Sequence, residues 1–114
     1  MKKVSKTNQR KKADALFSKW IRRRDKWCQM CNKTENLQCS HVIGRLNHRL
    51  RYDPMNAIAL CYRCHLQIWH RELLVAITWF QKKFPKRYEY LLKAKNEIGE
   101  IDYEEIIEKF KEVI

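Results

Sequence analysis

The sequence has few of the residues that make turns and none of the long apolar runs that cross membranes. Two glycines and two prolines among 114 residues argue against an all-β protein, whose many turns need these residues, and favour helices. No window of about 18 uninterrupted apolar residues occurs, so we expect no membrane span. The first twelve residues are polar and basic and lack the apolar segment of a secretory signal, so we expect a reducing cytoplasm.

Acidic residues are scarce in comparison with basic ones. Lys and Arg number 25 against 13 Asp and Glu, which gives a net charge of +12 at pH 7. Residues 1–27 carry 11 of the basic residues and two acidic ones, whereas residues 98–114 carry six acidic residues and two lysines. Because 45% of the residues are hydrophobic, the chain should fold. Because its net charge is strongly positive, it should bind a polyanion, most simply DNA. The acidic C-terminal segment is expected to be structural or to face a protein partner.

Hydrophobic periodicity predicts one small α+β domain with helices at both ends. Short strands are predicted at about 37–43 and 57–60, on either side of a basic loop at 44–53. A flexible basic arm is predicted for 1–10. The predicted helices lie at about 12–24, 61–70, 73–84, 86–97 and 103–113. The sequence therefore divides into an arm, a core at 11–70 and a C-terminal helical extension at 71–114.

Two Cys-x2-Cys pairs predict a structural zinc site. Cys28 and Cys31 form the first pair, and Cys61 and Cys64 form the second. Two residues between thiolates let both sulfurs of a pair reach one tetrahedral Zn²⁺, and four sulfur ligands leave the ion no open position. Its binding energy should therefore stabilise the fold. The pairs are 29 residues apart, more than in a simple zinc ribbon, and Cys39 lies outside the pattern.

Three further polar residues occur in a characteristic order between and beside the cysteine pairs. His41 lies in a strand-like run, Asn56 follows 15 positions later, and His65 directly follows the second pair. This order resembles the HNH nuclease family, whose ββα-metal fold is a hairpin and a helix around one divalent ion. The run CSHVIGR…RYDPMNAIALCYRCH is more narrowly similar to phage recombination nucleases of the NinG/Rap type. The resemblance covers about residues 20–70.

The resemblance implies a role for each of the three residues. His41 would be the general base that takes a proton from water, as a neutral imidazole can near pH 7. Asn56 would steady the loop and orient His41 through hydrogen bonds. His65 would be a ligand of a catalytic Mg²⁺ or Mn²⁺, separate from the structural zinc.

One position departs from the family pattern. Many relatives carry Asp or His, as a second metal ligand, where this chain has Ser40. A neutral hydroxyl binds Mg²⁺ poorly, so His70 is the candidate second ligand. On a straight helix His65 and His70 would point roughly 140° apart. Both reach one ion only if the helix ends or bends near Trp69.

Two groups of arginines are candidates for binding DNA phosphates. His48, in the basic loop, is expected to be a further DNA contact. At the end of the first helix the arginines would equally suit the helix dipole. The candidates are Arg45, Arg49 and Arg51 in the basic loop, and Arg22, Arg23 and Arg24 at the end of the first helix.

These features together predict a ββα-metal core on a four-cysteine zinc knuckle, flanked by N- and C-terminal helices. The function they predict is a divalent-metal-dependent DNA endonuclease of phage or mobile-element recombination or repair, acting also on branched DNA. Cutting a junction takes two paired cuts and hence a homodimer. Two alternatives stay open. One is a catalytically inactive, zinc-stabilised DNA-binding module, which Ser40 favours, and the other is an adaptor whose acidic C-terminal helix recruits a protein.

Overall fold

The computed structural model describes residues 5–111, in which a two-stranded antiparallel sheet lies between helices. A six-residue π-helical turn, Cys64–Trp69, follows the second strand. The predicted α+β class is confirmed. None of the helices in the described part of the chain is long and apolar enough to span a membrane. The helices and strands are α1 (Lys6–Asp25), β1 (Leu37–His41), β2 (Ala57–Cys61), α2 (Leu73–Lys83), α3 (Pro85–Ala94) and α4 (Tyr103–Lys111).

Helix α1 begins earlier than the sequence predicts. Ser5 caps its N-terminus, because the Ser5 hydroxyl accepts a hydrogen bond from the backbone N–H of Asn8 at 3.2 Å. Residues 6–10, predicted to belong to a flexible arm, are therefore helical, and that boundary is corrected. The first four residues of the predicted arm lie outside the described residues.

The alternation of side chains along the strands divides the core into two layers. All five residues of β2 are buried. Ala57 and Ala59 pack against α1, and their small side chains let this helix approach the sheet closely. Ile58 and Leu60 point to the opposite face and pack with residues of α2 and α3. The sheet is thus covered on both faces, and it presents His41 at the end of β1.

Helix α4 completes the layer that α1 begins. Phe110 is buried and packs edge-to-face against Phe17 and Trp20 of α1, with ring centroids 5.2 Å and 5.6 Å apart. Asp102 caps α4, as predicted, by accepting a hydrogen bond from the backbone N–H of Glu105 at 3.2 Å. The last helix of the predicted extension therefore packs directly on the first helix of the chain.

Gly99 lies where the chain passes the loop between the strands, and the structure leaves no room for a side chain there. A Cβ at position 99 would lie 2.7 Å from the Cα of Arg49, whereas a Cβ at Gly44 would meet no atom within 4 Å. We expect Gly99→Ala to lower the free energy of unfolding by about 1–3 kcal/mol. The matched variant Gly44→Ala should leave it unchanged or raise it by at most about 1 kcal/mol. Urea denaturation measures both, and equal stabilities would contradict the packing at Gly99.

Candidate functional site

The four cysteines of the two Cys-x2-Cys pairs form one cluster. One sulfur atom from each lies within 4.8 Å of the others, and the Sγ atoms of Cys31 and Cys61 are 3.6 Å apart. A tetrahedral zinc ion with Zn–S bonds of about 2.3 Å would place its sulfurs about 3.8 Å apart. Cys28, Cys61 and Cys64 are buried, and Cys31 is exposed. The cluster can therefore hold a metal ion such as zinc.

Local turns bring these sulfurs together. After the first pair, Asn32 adopts a φ of 67°, a left-handed conformation that asparagine tolerates, and its N–H donates to the carbonyl of Cys28 at 2.9 Å. In the second pair, the N–H of Cys64 donates to the sulfur of Cys61 at 3.5 Å. Burial raises the pKa of Cys61, but this N–H and the neighbouring thiols outweigh it and lower that pKa to about 7. Cys61 thus favours the thiolate that a metal requires, whereas burial and the neighbouring thiols raise the pKa of Cys64.

His41 is held with one ring nitrogen free. Its Nε2 lies 2.9 Å from the carbonyl oxygen of Arg51. A carbonyl only accepts hydrogen bonds, so Nε2 carries the hydrogen and Nδ1 keeps a lone pair. The Phe17 ring stacks on the imidazole, with centroids 5.7 Å apart and planes 28° apart. Burial lowers the pKa of His41, which keeps the ring neutral at pH 7. The residue has the tautomer and the charge state of a general base.

Asn56 is buried and fastens the two ends of the loop between the strands. Its Oδ1 accepts from the N–H of Ile43 at 2.7 Å, and its Nδ2 donates to the carbonyls of Ile43 and Leu50 at 2.9 Å and 3.1 Å. The side chain therefore steadies the loop, as the resemblance implies. Its hydrogen bonds go to the loop backbone rather than to the ring of His41.

The contacts of Asn56 predict a large cost for its removal. Asn56→Ala leaves the part-buried N–H and carbonyl of Ile43 without a partner and removes one of the two hydrogen bonds to the carbonyl of Leu50, so we expect the free energy of unfolding to fall by about 2–4 kcal/mol. Asn47, in the same loop, is half-buried and also makes side-chain hydrogen bonds to the backbone. Water can replace its contacts, so Asn47→Ala should cost less than about 1 kcal/mol. Chemical denaturation of both variants tests this difference, and equal losses would contradict it.

The π-helical turn brings His65 and His70 onto one face. The N–H of His70 donates to the carbonyl of His65 at 3.1 Å, a spacing of five residues that widens the helical turn. The two Nε2 atoms consequently lie 3.0 Å apart. On a straight α-helix the side chains of His65 and His70 would point in different directions. The wider π-helical turn, which ends at Trp69, brings them together, as two ligands of one ion would require.

Ser40 orients His65 from the neighbouring strand. Its side chain is buried, and its Oγ is hydrogen-bonded to Nδ1 of His65. In the tautomer in which Nδ1 donates to this hydroxyl, Nε2 carries the lone pair that a metal ligand needs, and this nitrogen lies within hydrogen-bond distance of Nε2 of His70. Burial lowers the pKa of His65 to about 4, and the charges of His70 and Arg45 add to the effect. Reasoning from the sequence treated Ser40 as a lost metal ligand and missed this contact.

One cleft of about 800 Å³ joins these groups. Helix α1 forms one side of it, and the π-helical turn with the start of α2 forms another. The guanidinium of Arg45 is exposed and has no partner among residues 5–111. The Nε of Arg22 donates to the carbonyl of Ser18 at 3.2 Å, and its side chain stays exposed. The candidate residues that line the cleft are His41, His65, His70, Arg22 and Arg45.

Three of the other candidate phosphate ligands are engaged inside the protein. Arg49 forms ion pairs with Asp53 at 3.2 Å and Glu97 at 3.3 Å. Arg51 forms an ion pair with Asp14 at 2.8 Å, and its side chain is 11% exposed. These two arginines fasten the loop to its surroundings rather than present a free charge to solvent.

Arg24, the third, contacts the 3-10 turn that precedes β2. It donates to the carbonyls of Pro54 and Ala57, each at 2.7 Å, and pairs with Asp25. Arg87 of α3 also donates to the carbonyl of Ala57, at 2.8 Å. No pattern in the sequence points to Arg87, because one arginine among 25 basic residues does not reveal its partner.

The remaining two candidates lie outside the cleft. Arg23 is exposed on α1 but does not line it. His48 is exposed and lies in a separate groove with Ile101 and Lys109. Cys39 is half-buried in β1 and stays apart from the other four cysteines.

Comparisons with protein-family models, with curated proteins and with solved structures find no match for this chain. Within residues 5–111, the four cysteines are the one group of three or more His, Cys, Asp or Glu side chains close enough to share an ion. The histidine pair therefore offers two protein ligands. A functional conclusion depends on the geometry of the cleft itself.

Proposed function

We propose that this chain is a divalent-metal-dependent DNA endonuclease that hydrolyses phosphodiester bonds. One observation carries the proposal. A base-competent imidazole, His41, and two paired imidazole nitrogens, from His65 and His70, line the same cleft. Hydrolysis of a phosphodiester needs an activated water and a cation beside the phosphate, and these groups are suited to provide both.

The distance between the two Nε2 atoms fits two ligands of one cation. Adjacent ligands at about 2.1 Å in octahedral geometry are about 3.0 Å apart, and the Nε2 atoms of His65 and His70 are separated by 3.0 Å. These two residues would hold the Mg²⁺ or Mn²⁺, leaving its other positions to water and phosphate. When bound, the cation stabilises the charge that develops on the phosphate and on the leaving oxygen.

The other residues of the cleft complete the mechanism. Nδ1 of His41 takes the proton of the attacking water. The carbonyl of Arg51 accepts the Nε2–H and stabilises the imidazolium that results. Arg45 and Arg22 place positive charge on the cleft wall, where they pair with phosphates on either side of the bond that is cut. Asn56 keeps the loop that carries Arg45 and Arg51 in place.

The charge of the chain supports a nucleic acid as the substrate. The net charge is +12, and the surface of α1 presents exposed basic side chains that continue away from the cleft. Contacts of this kind hold phosphates without reading bases, so we expect affinity that falls steeply with salt. The exposed ones include Lys11, Lys12, Arg22 and Arg23.

Four labelled DNAs test the proposal: a duplex, a nicked duplex, a flap and a four-way junction. Each is incubated with Mg²⁺, with Mn²⁺ or with no added metal. We expect cutting only with added metal, and its loss in His65→Ala and His70→Ala, while both variants still bind zinc and melt cooperatively. The preferred DNA then identifies the role, which by the resemblance lies in phage or mobile-element recombination or repair. Metal-independent cutting, or none, would reject the proposal.

The second candidate is a zinc-stabilised DNA-binding module without catalytic activity. It is favoured by the absence, within residues 5–111, of a carboxylate close enough to complete a three-ligand site with the histidine pair. This candidate predicts equal binding of DNA by the wild type and the histidine variants, with no cutting by either.

A further inference from the structure

The loop between the strands depends on side chains for its position. The backbone N–H of Val42 donates to the carbonyl of Asn56 where the loop begins and ends, and between these residues the backbone forms tight turns, such as the N–H of Asn47 donating to Gly44 and that of Asp53 donating to Leu50. The side chain of Asn56 is hydrogen-bonded to the backbone of the loop, and the side chain of Arg49 is hydrogen-bonded to Tyr90 of α3. The attachment to α1 is made by a different group of residues.

Asp14 of α1 makes that attachment. Its two carboxylate oxygens accept from Nη2 and Nε of Arg51 at 2.8 Å and 3.3 Å, so the guanidinium is held at two points. The hydroxyl of Tyr52 donates to the same carboxylate at 2.8 Å. The remaining Nη1 of Arg51 donates to the carbonyl of Arg45 at 3.2 Å. Asp14 therefore holds two consecutive residues at the end of the loop, Arg51 and Tyr52, through one side chain.

The same residue, Arg51, sets the tautomer of His41. Its backbone carbonyl accepts the Nε2–H of the imidazole, which leaves Nδ1 as the basic nitrogen. If this carbonyl moved away, Nε2 would lose its hydrogen-bond acceptor, and the hydrogen would no longer be restricted to that nitrogen. Asp14 also lies one helical turn before Phe17, whose ring stacks on His41. Helix α1 thus contacts the imidazole through Phe17 and is linked to the hydrogen-bond acceptor of the imidazole through Asp14 and Arg51.

We propose that Asp14 is a positioning residue for His41: by holding the Arg51 side chain, it holds the carbonyl that keeps the imidazole in the Nε2–H tautomer. The catalytic part of this inference rests on the proposed endonuclease function, but the tautomer does not. Asp14 touches neither the ring nitrogen that would act as base nor the histidine pair. Its effect on the tautomer passes through Arg51, whereas its negative charge also acts on His41 directly and opposes the lowering of the pKa by burial.

The charged and titratable groups around His41 determine the pH at which the tautomers can be compared. Asp14 faces it from α1, Arg45 and Arg51 from the loop, and His65 from the helix after β2. At pH 8 the unperturbed histidine is neutral, so tautomers can be compared without a change of charge.

The experiment combines ¹⁵N NMR of the histidine rings at pH 8 with steady-state cleavage of the preferred DNA. The resonances of His41 are assigned with His41→Gln. We expect a single Nε2–H tautomer in the wild type and a mixture of both tautomers in Asp14→Ala. The same variant should lose roughly tenfold to hundredfold in kcat with little change in KM. Asp14→Glu, which keeps the charge, should restore much of both.

Two further variants separate positioning from stability. Asp25→Asn breaks another Asp–Arg pair of α1, with Arg24, and should lower the melting temperature while leaving the His41 tautomer single. Asp14→Asn removes the charge at constant size and replaces Asp14→Ala if the latter fails to fold. A folded Asp14→Ala or Asp14→Asn variant that retains the single tautomer overturns the inference. If the wild type cuts no DNA, the endonuclease proposal fails and the tautomer alone decides the role of Asp14.

Discussion

Cys64→Ser is expected to abolish cooperative thermal unfolding of this chain at neutral pH. Structural zinc contributes about 10–16 kcal/mol to folding in small zinc domains, which equals or exceeds the total stability of about 5–15 kcal/mol of an ordinary domain. Cys28, Cys61 and Cys64 belong to the buried core around Leu60 and Trp69, so loss of the ion exposes the centre of the molecule. Circular dichroism melting and metal analysis measure the effect.

The fifth cysteine provides the matched control. Cys39 is half-buried and lies outside the cluster, so Cys39→Ser should keep one zinc per chain and a cooperative transition. A strong chelator should convert the wild type to the state of Cys64→Ser, and added zinc should reverse the change. Cooperative melting of the wild type after complete removal of metal would contradict a structural role for the cluster.

His41→Ala is expected to reduce DNA cleavage by about 10²–10⁴-fold while DNA affinity stays within about twofold. The reason is that, in the proposed mechanism, Nδ1 of His41 accepts the proton and makes no contact that binding requires. His48→Ala is the control, because His48 is exposed in the loop that follows β1 and lies in a separate groove. His41→Gln replaces the alanine variant if the space under Phe17 destabilises it. Equal cleavage by the wild type and a folded His41 variant would remove the residue from the mechanism.

The pH dependence of cleavage follows from the burial of His41. Burial lowers its pKa below the ordinary value of about 6.5. The imidazole is the active base when neutral, so activity should be fully present above that value and should decline only as the pH falls through the lowered pKa. Single-turnover rates between pH 5 and 8 measure this. A decline that begins well above pH 6.5 would assign the limiting proton transfer to another group.

The elements with a strong periodic or spacing signal could be predicted from the sequence. The two Cys-x2-Cys pairs predict one cluster because the spacing itself limits where the sulfurs can lie, and the structure brings them together. The run Ala57–Cys61 reads as a buried strand because it is continuously apolar. Asp102 and Pro85 mark helix starts by rules that need only local sequence.

The contacts that organise the cleft could not be predicted in this way. A π-helical turn differs from an α-helix by one residue per turn, and the run from Cys64 to Trp69 carries no pattern that distinguishes them. The hydrogen bond between Ser40 and His65 joins residues 25 positions apart through the sheet. Charge alone made Arg49 and Arg51 candidates for phosphate, because a sequence does not say which carboxylates will lie beside them in the fold.

Cys64 and His65 are consecutive residues, and this adjacency would link the binding of zinc to the binding of the proposed second cation. The backbone that closes the sulfur cluster also begins the π-helical turn that carries the histidine pair. Zinc binding should therefore raise the apparent affinity of the chain for the second cation, and by reciprocity a cation held at the histidines should raise the apparent affinity for zinc by the same factor. We expect the two metal sites to be occupied in order, the cysteine cluster first and the histidine pair second. Titrations of the second ion are interpretable only at full zinc occupancy.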